Sequence, residues 1–585
     1  MRHSIKRNKS VQSVAWLLLL ITLLQILCAC GEEPPALDGT TDAETDAETE
    51  STTPAEVGKL EDVTPEFEPD PEKETPPANP AKSLSATSQE PYNGKRRGCQ
   101  TITVLAKYTK GLDYDVYAKK DGDNKLYYLF LPCRVDLTSV SYTVTHYDGT
   151  TTGPYTVNLA DNTVTDNEKV SGNSTDYQIV AKQSDLPTMM VQIDESHVTI
   201  AQMTNDPEHK TYAFGEIITT VTDKMAKENG WATRYVSRDE DASKKCSADM
   251  RGRGNWTWKY QKRSYQVRTE NKMGLLGMEQ GTTWSLLGVM NDSTGIRTQL
   301  AHQLALNVGV HYTSDHRMID LFLNGTYMGM YVITEKVEVA PNRVEIDQEK
   351  DILFEVDQYY AEQGEFGISL VDLYGSNFNF RIHSPEEPGT SEKSKQILKT
   401  ALAALHSGSE IEFMKHFDLE SWARMMLVQL YSMNQDAYHG SFFFYYNHND
   451  GKLYACAPWD FDWSFGNGSR SGAEYRDPFV SDWTTRAISG AMLRYPMYQR
   501  ELARVYYEGG VREEIAKMPA LARYYGQLNR KTIDMNTLGA AVNYQNGNTI
   551  DEALNYLYGI CEKRVQFMET KMKEYAQKSG YQIPK

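Results

Sequence analysis

One predicted β-hairpin constrains the C-terminal half of the chain more than any other feature of its sequence. Two β-rich runs, residues 441–447 and 452–457, flank an Asn-Asp-Gly sequence that favours a tight return between antiparallel strands. Because such strands lie ~5 Å apart, the residues before the first run must lie beside those after the second. Asp436 precedes the first run, and Asp460 and Asp462 follow the second. The sequence therefore predicts that three carboxylates converge at one end of a β-ribbon.

These three carboxylates predict a cation site. Like charges at close range repel one another strongly in a partly buried site unless a cation neutralises them. A few hard oxygen ligands suit Mg²⁺, whose remaining positions are filled by phosphates and water. An Asp, a hairpin and an Asp-containing turn with Phe and Gly also follow one another in protein kinases. On these residues alone, a glycosidase-like carboxylate pair and a structural Ca²⁺ site are alternatives.

The N-terminus predicts an exported protein. A basic stretch precedes an apolar run of about 14 residues, Val14 to Leu27, which is too short to cross a ~30 Å hydrocarbon core as a helix. The following sequence, residues 27–31, resembles a bacterial lipobox. We therefore predict that residues 1–29 are a lipoprotein signal peptide and that Cys30 carries the lipid on the outer face of a bacterial membrane. An ordinary signal peptide is the alternative.

Most of the net charge of −18 lies in one segment. Residues 31–90 hold 17 acidic residues against three lysines. Residues 30–97, rich in Pro, Thr and Glu, are predicted to be a disordered tether because they cannot bury enough apolar surface to offset the entropy of ordering. The rest of the chain is only mildly acidic. This balance argues against nucleic-acid binding, which would require a basic stripe.

Two folded regions are predicted beyond the tether. Short alternating runs separated by turns predict a small all-β domain over residues 98–172, with no evident chemistry of its own. An α/β pattern begins at about residue 176 and continues to residue 585. Its last part, residues 486–585, is predicted to be helical.

Individual elements of the α/β region are also predicted. Residues 318–323 and 327–334 flank Asn324-Gly325, a pair that favours a type I′ hairpin turn. Apolar residues recur at helical spacing over residues 296–308. Five cysteines follow the lipobox, an odd number that forms no framework. A disulfide between Cys99 and Cys133 and two unrelated free thiols are both open.

Several motifs of the α/β region resemble the CotH kinase family, named after a spore-coat protein. Residues 251–258 and the following Lys-Arg-Ser-Tyr sequence are similar to the RGxGN and KKxY block of that family. The resemblance spans residues 185–470 as a whole. The further motifs follow in the same order as in the family: 275–278, 284–287, Arg297, 321–331, 334–336, 354–357 and 459–462. The resemblance implies an α/β (α+β) protein with an atypical, protein-kinase-like two-lobed fold and a helical C-terminal region.

The resemblance also implies an activity, the transfer of the ATP γ-phosphoryl group to Ser or Thr of a surface or envelope protein. Asp436 would be the catalytic Asp, and Asp460 and Asp462 would hold Mg²⁺, or Mn²⁺ in its place. Lys262 would bind phosphate, with Glu335 as its carboxylate partner. Arg297 could support either Lys262 or Glu335. Gly252 and Gly254 would belong to a loop that covers the phosphates.

One position departs from the kinase pattern. Kinases carry an Asn for the second metal five residues after the catalytic Asp, and Ser441 stands there in this chain. A non-catalytic pseudokinase that serves as an adhesion or envelope-scaffold lipoprotein is therefore the alternative function. Glycan hydrolysis is a third, weaker hypothesis. The sequence does not specify the oligomeric state.

Overall fold

The computed structural model describes a defined part of the chain. The described residues are 72–78, 98–122, 125–160, 163–170, 173–229, 246–254, 257–357, 367–371, 377–385, 390–434, 437, 440–467, 486–540 and 547–585. The predicted signal peptide, Cys30, most of the predicted tether and Asp436 lie outside these ranges.

The first eight strands form two four-stranded sheets. Their bounds are β1 (Cys99–Val104), β2 (Val116–Tyr117), β3 (Lys119–Lys120), β4 (Leu126–Leu131), β5 (Val140–His146), β6 (Thr151–Val157), β7 (Thr163–Val170) and β8 (Asn173–Gln183). The strand orders are β2-β1-β5-β6 and β3-β4-β8-β7. Because β8 runs parallel to β4 as far as Gln183, this β region extends beyond residue 172.

Seven further strands close into a barrel. They are β9 (Thr188–Ile193), β10 (Ala213–Thr220), β11 (Cys246–Arg253), β12 (Ser264–Met273), β13 (Gly281–Leu287), β14 (His316–Leu323) and β15 (Thr326–Glu335). The barrel order is β10-β11-β12-β13-β15-β14-β9. Within the described ranges, three helices interrupt these strands, namely α1 (Ile200–Asn205), α2 (Asp223–Asn229) and α3 (Arg297–Asn307), together with a 3₁₀ turn at Thr257–Lys259.

The sequence-based predictions for the barrel are confirmed at two elements. Strands β14 and β15 pair antiparallel, and their turn residues Asn324 and Gly325 have φ angles of 42° and 74°. Two successive positive φ angles define the type I′ turn that an Asn-Gly pair favours. Helix α3 lies inside the predicted range 296–308.

The remaining elements form a five-stranded sheet and a helical body. They are β16 (Ile352–Val356), β17 (Gly367–Val371), β18 (Asn377–Ser384), α4 (Thr390–His406), α5 (Glu410–His416), α6 (Leu419–Ser432), β19 (Phe442–Asn447), β20 (Lys452–Cys456), α7 (Pro496–Glu508), α8 (Val511–Leu528), α9 (Arg530–Gly539) and α10 (Ile550–Ser579). A π-helical turn at Arg486–Gly490 precedes α7. The sheet order β17-β18-β16-β19-β20 contains the predicted hairpin as β19 and β20.

Helix α6 is the central helix of this body. The Asp418 side chain caps its first turn by accepting from the Ser421 backbone N–H at 2.8 Å, which satisfies a donor that has no partner inside the helix. Most of its length is buried, and its last residue is followed by Met433 in the left-handed conformation. The helix therefore ends abruptly, directly before Asn434.

The described residues form a mixed α/β structure with several sheets and a helical C-terminal region, as predicted. None of the described helices combines the length and apolarity that a membrane crossing requires. Cys99 and Cys133 are both free thiols, so the structure contains no disulfide between them. The other three described cysteines, Cys246, Cys456 and Cys561, are free as well.

Acidification is expected to weaken the fold through His302 of α3 and His316 of β14, which pack as a T-shaped pair with ring centroids 5.2 Å apart. Burial lowers the pKa of each imidazole to about 3, whereas an unfolded histidine titrates at ~6.5. A depressed folded-state pKa gives stability that is complete above pH ~6.5 and is lost as the pH falls. Urea unfolding at pH ~6.5 and ~5 should show a loss of up to ~1.4 kcal/mol per pH unit for each histidine.

The variant His302→Gln removes one of these titrating groups, so its free energy of unfolding should depend less steeply on pH over this window. His416→Gln, at the end of α5, is the matched control and should keep the wild-type slope. Identical slopes in wild type and His302→Gln would contradict the assignment.

Candidate active site

Five non-glycine residues with left-handed backbone conformations cluster around the β19–β20 ribbon. Their φ angles are 50° at Met433, 57° at Ser441, 45° at Ala457, 61° at Asp460 and 47° at Phe465. Each such residue costs ~1–3 kcal/mol, and such residues concentrate at functional sites, where the surrounding packing holds them. The turn that follows β20 therefore has a backbone conformation that is intrinsically unfavourable for its residues and must be held by their surroundings.

Packing beneath the turn explains how this conformation is held. Phe461 and Phe465 are fully buried, and the Phe465 ring lies 5.8 Å from that of Tyr431 on α6. The His302 ring lies 6.1 Å from the Trp459 ring and 5.9 Å from the Phe461 ring. Alternate residues of the turn thus point into the core, which leaves Asp460 and Asp462 on its other side.

The carboxyl groups of Asp460 and Asp462 lie within hydrogen-bonding reach of each other. Burial raises the pKa of Asp460 because it disfavours the charged carboxylate, and the contact with Asp462 opposes that rise. Ser441 donates a hydrogen bond to Asp460 Oδ2 at 3.4 Å, and Asn434 Nδ2 donates to the Asp460 backbone oxygen at 3.0 Å. The structure therefore brings together the residues that precede the first strand of the predicted ribbon and those that follow the second.

This donor set fits Mg²⁺. Two carboxylates and a neighbouring hydroxyl are hard oxygen donors, and a divalent cation between them would neutralise their negative charge. No group of three or more His, Cys, Asp or Glu residues suited to a metal is found within the described ranges. Two protein carboxylates are, however, the usual number in a magnesium site that also binds phosphates.

Two charged residues that the sequence did not place lie beside this pair. Glu355 on β16 is bonded to His383 Nε2 on β18 at 2.6 Å, and its negative charge contributes to the raised pKa of Asp460. The positive charge of Arg253 at the end of β11 acts in the opposite direction on that pKa. The position of Glu355 between buried Phe354 and Val356 is the one sequence signal for its orientation, since alternate residues of a strand face opposite sides.

Lys262 is in a different environment from the one predicted. Its ammonium group donates to the Met330 backbone oxygen and, at 2.8 Å, to Asn536 Oδ1 of α9. Asn536 Oδ1 also accepts from the Met330 N–H at 3.0 Å. Burial lowers the pKa of Lys262 to about 7. Gly329, at φ 104°, permits this contact, because a Cβ there would lie 2.4 Å from Asn536 Oδ1.

The expected pairing of Lys262 with Glu335 is not formed, because each side chain has other partners. Glu335 Oε1 accepts from Arg343 at 2.9 Å, and Glu335 Oε2 accepts from the Asp315 N–H at 3.0 Å. Since Met330 and Glu335 are five residues apart on β15, they lie ~17 Å apart along the strand. Burial raises the pKa of Glu335 to about 7. The carboxylate therefore belongs to a separate buried ion pair with Arg343.

Arg297 and the two predicted loop glycines have structural environments of their own. Arg297 is fully buried and ion-paired with Asp292, whose second oxygen accepts from the Arg297 N–H at 2.9 Å at the start of α3. At Gly252, a Cβ would lie 2.2 Å from the Trp258 ring, and at Gly254, with φ 98°, it would lie 2.2 Å from a Thr257 oxygen. Local packing therefore explains why both positions are glycine.

Two predicted site residues, Asp436 and Cys30, lie outside the described residues. The described neighbour of Asp436 is Asn434, two positions earlier in the chain, which contacts the backbone of Asp460.

The fold and the site define a mixed α/β protein with a paired-carboxylate turn at the end of a β-ribbon. Comparison with known protein families matches residues 250–568 to the family described as CotH kinase protein. This match covers more than half of the chain and includes β12 to β20, so the chain belongs to the CotH kinase family, as its motifs indicated. A search of curated proteins finds no match.

The contact of Asn536 with Lys262 is expected to be important for stability. Asn536→Leu leaves the buried Lys262 ammonium and the Met330 N–H without this acceptor, which should cost ~1–3 kcal/mol for each group. Urea unfolding measures the loss. The double variant Lys262→Met, Asn536→Leu removes the ammonium group that has lost its acceptor and should recover part of the stability.

Thr537→Ala, at the next position of α9, serves as the control and should change the free energy of unfolding by less than ~0.5 kcal/mol. An Asn536→Leu variant as stable as wild type would show that the contact contributes nothing.

Proposed function

We propose that this chain is a protein kinase that transfers the γ-phosphoryl group of ATP to Ser or Thr of surface or envelope proteins. The observation that carries the proposal is the Asp460–Asp462 carboxyl pair, held on a strained turn beside the hairpin. Membership of the CotH kinase family supports it. In this proposal the barrel and the helical body correspond to the two lobes of a kinase-like fold, with the turn between them.

Asp460 and Asp462 would hold Mg²⁺, or Mn²⁺ in its place. When bound, the ion supplies positive charge that stabilises the phosphates of ATP during transfer. The buried aromatic residues beneath the turn fix both carboxylates before ATP arrives, so little reorganisation accompanies binding. Ser441 and Asn434 hold the side chain and the backbone of Asp460, respectively.

Asp436 is the proposed catalytic Asp. In kinases such a residue accepts a hydrogen bond from the acceptor hydroxyl and orients its oxygen toward the γ-phosphorus. The neighbouring Asn434 ties this part of the chain to Asp460, which supports placing the acceptor hydroxyl close to the metal-binding pair.

A non-catalytic envelope scaffold is the second candidate, and one observation favours it. Ser441 stands where kinases have an Asn that binds the second metal, and its hydroxyl is a weaker metal ligand than an amide oxygen. The hydroxyl is already bonded to Asp460.

Substitution of the three Asp residues separates these two functions. Asp436→Asn, Asp460→Asn and Asp462→Asn should each lower phosphate incorporation by at least ~100-fold, since each removes charge or orientation from the transfer step. The full-length protein is incubated with Mg²⁺ and γ-labelled ATP, with and without an added protein acceptor.

Asp450→Asn is the matched control, because Asp450 is an exposed carboxylate at the opposite end of the same hairpin, bonded to the Tyr454 hydroxyl. Its incorporation should equal that of wild type. Equal incorporation by all the variants, or none by any protein including wild type, would contradict the kinase proposal. The second outcome is the one expected of a scaffold.

The protein is proposed to act outside the cytoplasm, anchored through a lipid on Cys30. The support is the order of a basic stretch, an apolar run and a lipobox-like sequence at the N-terminus. The acidic tether would then extend the folded region away from an anionic membrane surface.

Replacement of Cys30 tests the anchor. Cys30→Ser should abolish incorporation of labelled palmitate in bacteria that express the protein, because the thiol that carries the lipid is lost. Cys28→Ser, two positions earlier, is the control and should retain the label. Undiminished labelling of Cys30→Ser would exclude this residue as the lipidation site.

A further inference from the structure

Arg253 lies where a phosphate-binding cation would be needed. It is the last residue of β11 and pairs in register with Ser264 of β12. Its guanidinium lies over the ring of Trp459, 5.2 Å from the ring centroid. Because Trp459 directly precedes Asp460, the same stacking contact fixes the guanidinium beside the carboxyl pair.

The hydrogen-bonding groups of Arg253 are available to a ligand. Stacking on an indole ring occupies the face of the guanidinium, while its five N–H groups lie in the plane and point outward. Among the described residues, the guanidinium forms no ion pair and donates no hydrogen bond, and it stacks on Trp459. Its positive charge nevertheless acts on Asp460, where it opposes the rise in pKa that burial causes.

The other buried cations described above already have partners of their own. Lys262 is bonded to Met330 and Asn536, and Arg297 is paired with Asp292 in the core. Arg343 is paired with Glu335. A triphosphate bound at Asp460 and Asp462 would carry more negative charge than one divalent ion neutralises, so a further cation is required at this end of the ribbon.

We propose that Arg253, rather than Lys262, is the residue that binds the phosphate chain of ATP. This inference rests on the proposed kinase function and adds a residue to it. The guanidinium would donate two parallel hydrogen bonds to one phosphate group, a geometry that Lys cannot reproduce. Trp459 keeps the guanidinium in position, and Mg²⁺ on the carboxyl pair would lie next to it.

Nucleotide affinities test this role on the full-length protein. The dissociation constants of ATP, ADP and adenosine are measured by titration calorimetry with Mg²⁺ for wild type, Arg253→Gln and Arg253→Lys. Arg253→Gln should weaken ATP binding by about 10- to 100-fold and leave adenosine binding unchanged, because adenosine has no phosphate. Arg253→Lys should recover part of the ATP affinity, since it keeps the charge and loses the paired geometry.

Arg268→Gln is the matched control. Arg268 also stacks on an aromatic ring, 4.7 Å from the centroid of Tyr212, but is paired with Asp249 away from the turn. Its ATP affinity should equal that of wild type. The thermal midpoint of each variant shows whether it folds. If Arg253→Gln does not fold, the ATP affinity of Arg253→Lys tests the role of Arg253.

The outcomes separate this inference from the proposed function. Wild-type ATP affinity in Arg253→Gln, or an equal loss for ATP and adenosine, would overturn the role of Arg253 while leaving phosphoryl transfer by the wild type intact. A wild-type protein that binds adenosine and ATP equally well, and transfers no phosphate, would overturn both.

Discussion

The hairpin of β14 and β15 is the element on which the rest of the structure depends, because its side chains enter all three large hydrophobic cores. Ile319, Leu321, Tyr331 and Ile333 fill the barrel, Met318, Met330 and Val332 pack against the helical body, and Phe322 and Tyr327 pack against the N-terminal β region. Alternation along a strand explains the division between the barrel interior and its outside. A shift of one residue in register would exchange these faces, so the Asn324-Gly325 turn fixes the register for three cores at once.

The same hairpin fixes helix α9 through buried polar contacts. Asp320 of β14 accepts from the Tyr327 hydroxyl at 2.7 Å and from Thr532 of α9 at 3.3 Å, and burial raises the pKa of Asp320 to about 6. Together with the contact of Asn536 and Lys262, these bonds give α9 a defined position that apolar packing alone would specify less uniquely. The buried charges near β15 therefore organise the structure around the site rather than form the site itself.

The sequence predicted the local elements well and the long-range partners poorly. Both hairpins and helix α3 follow from turn residues and periodicity within a few neighbouring positions. The partner of Lys262 could not be predicted in this way, because Asn536 lies far along the chain, on helix α9. The partner of Glu335 could not be predicted either, since a carboxylate at the end of a strand does not indicate that Arg343 will pair with it. Arg253 showed no signal either, because its role depends on which ring, that of Trp459, the fold brings beneath it.

The carboxyl pair shows why the turn after β20 is unlike an ordinary stabilising turn. It holds Asp460 and Phe465 in left-handed conformations, and it places two carboxyl groups in contact under burial that opposes their charge. Each of these features costs stability. His302, Tyr431 and the two buried phenylalanines of the turn offset that cost by holding its opposite side. A cation bound between the carboxylates would offset their mutual repulsion and the cost of burying their charge, so metal binding would stabilise the turn. Arg253 compensates part of the charge from outside and leaves its own hydrogen-bonding groups available to an anionic ligand.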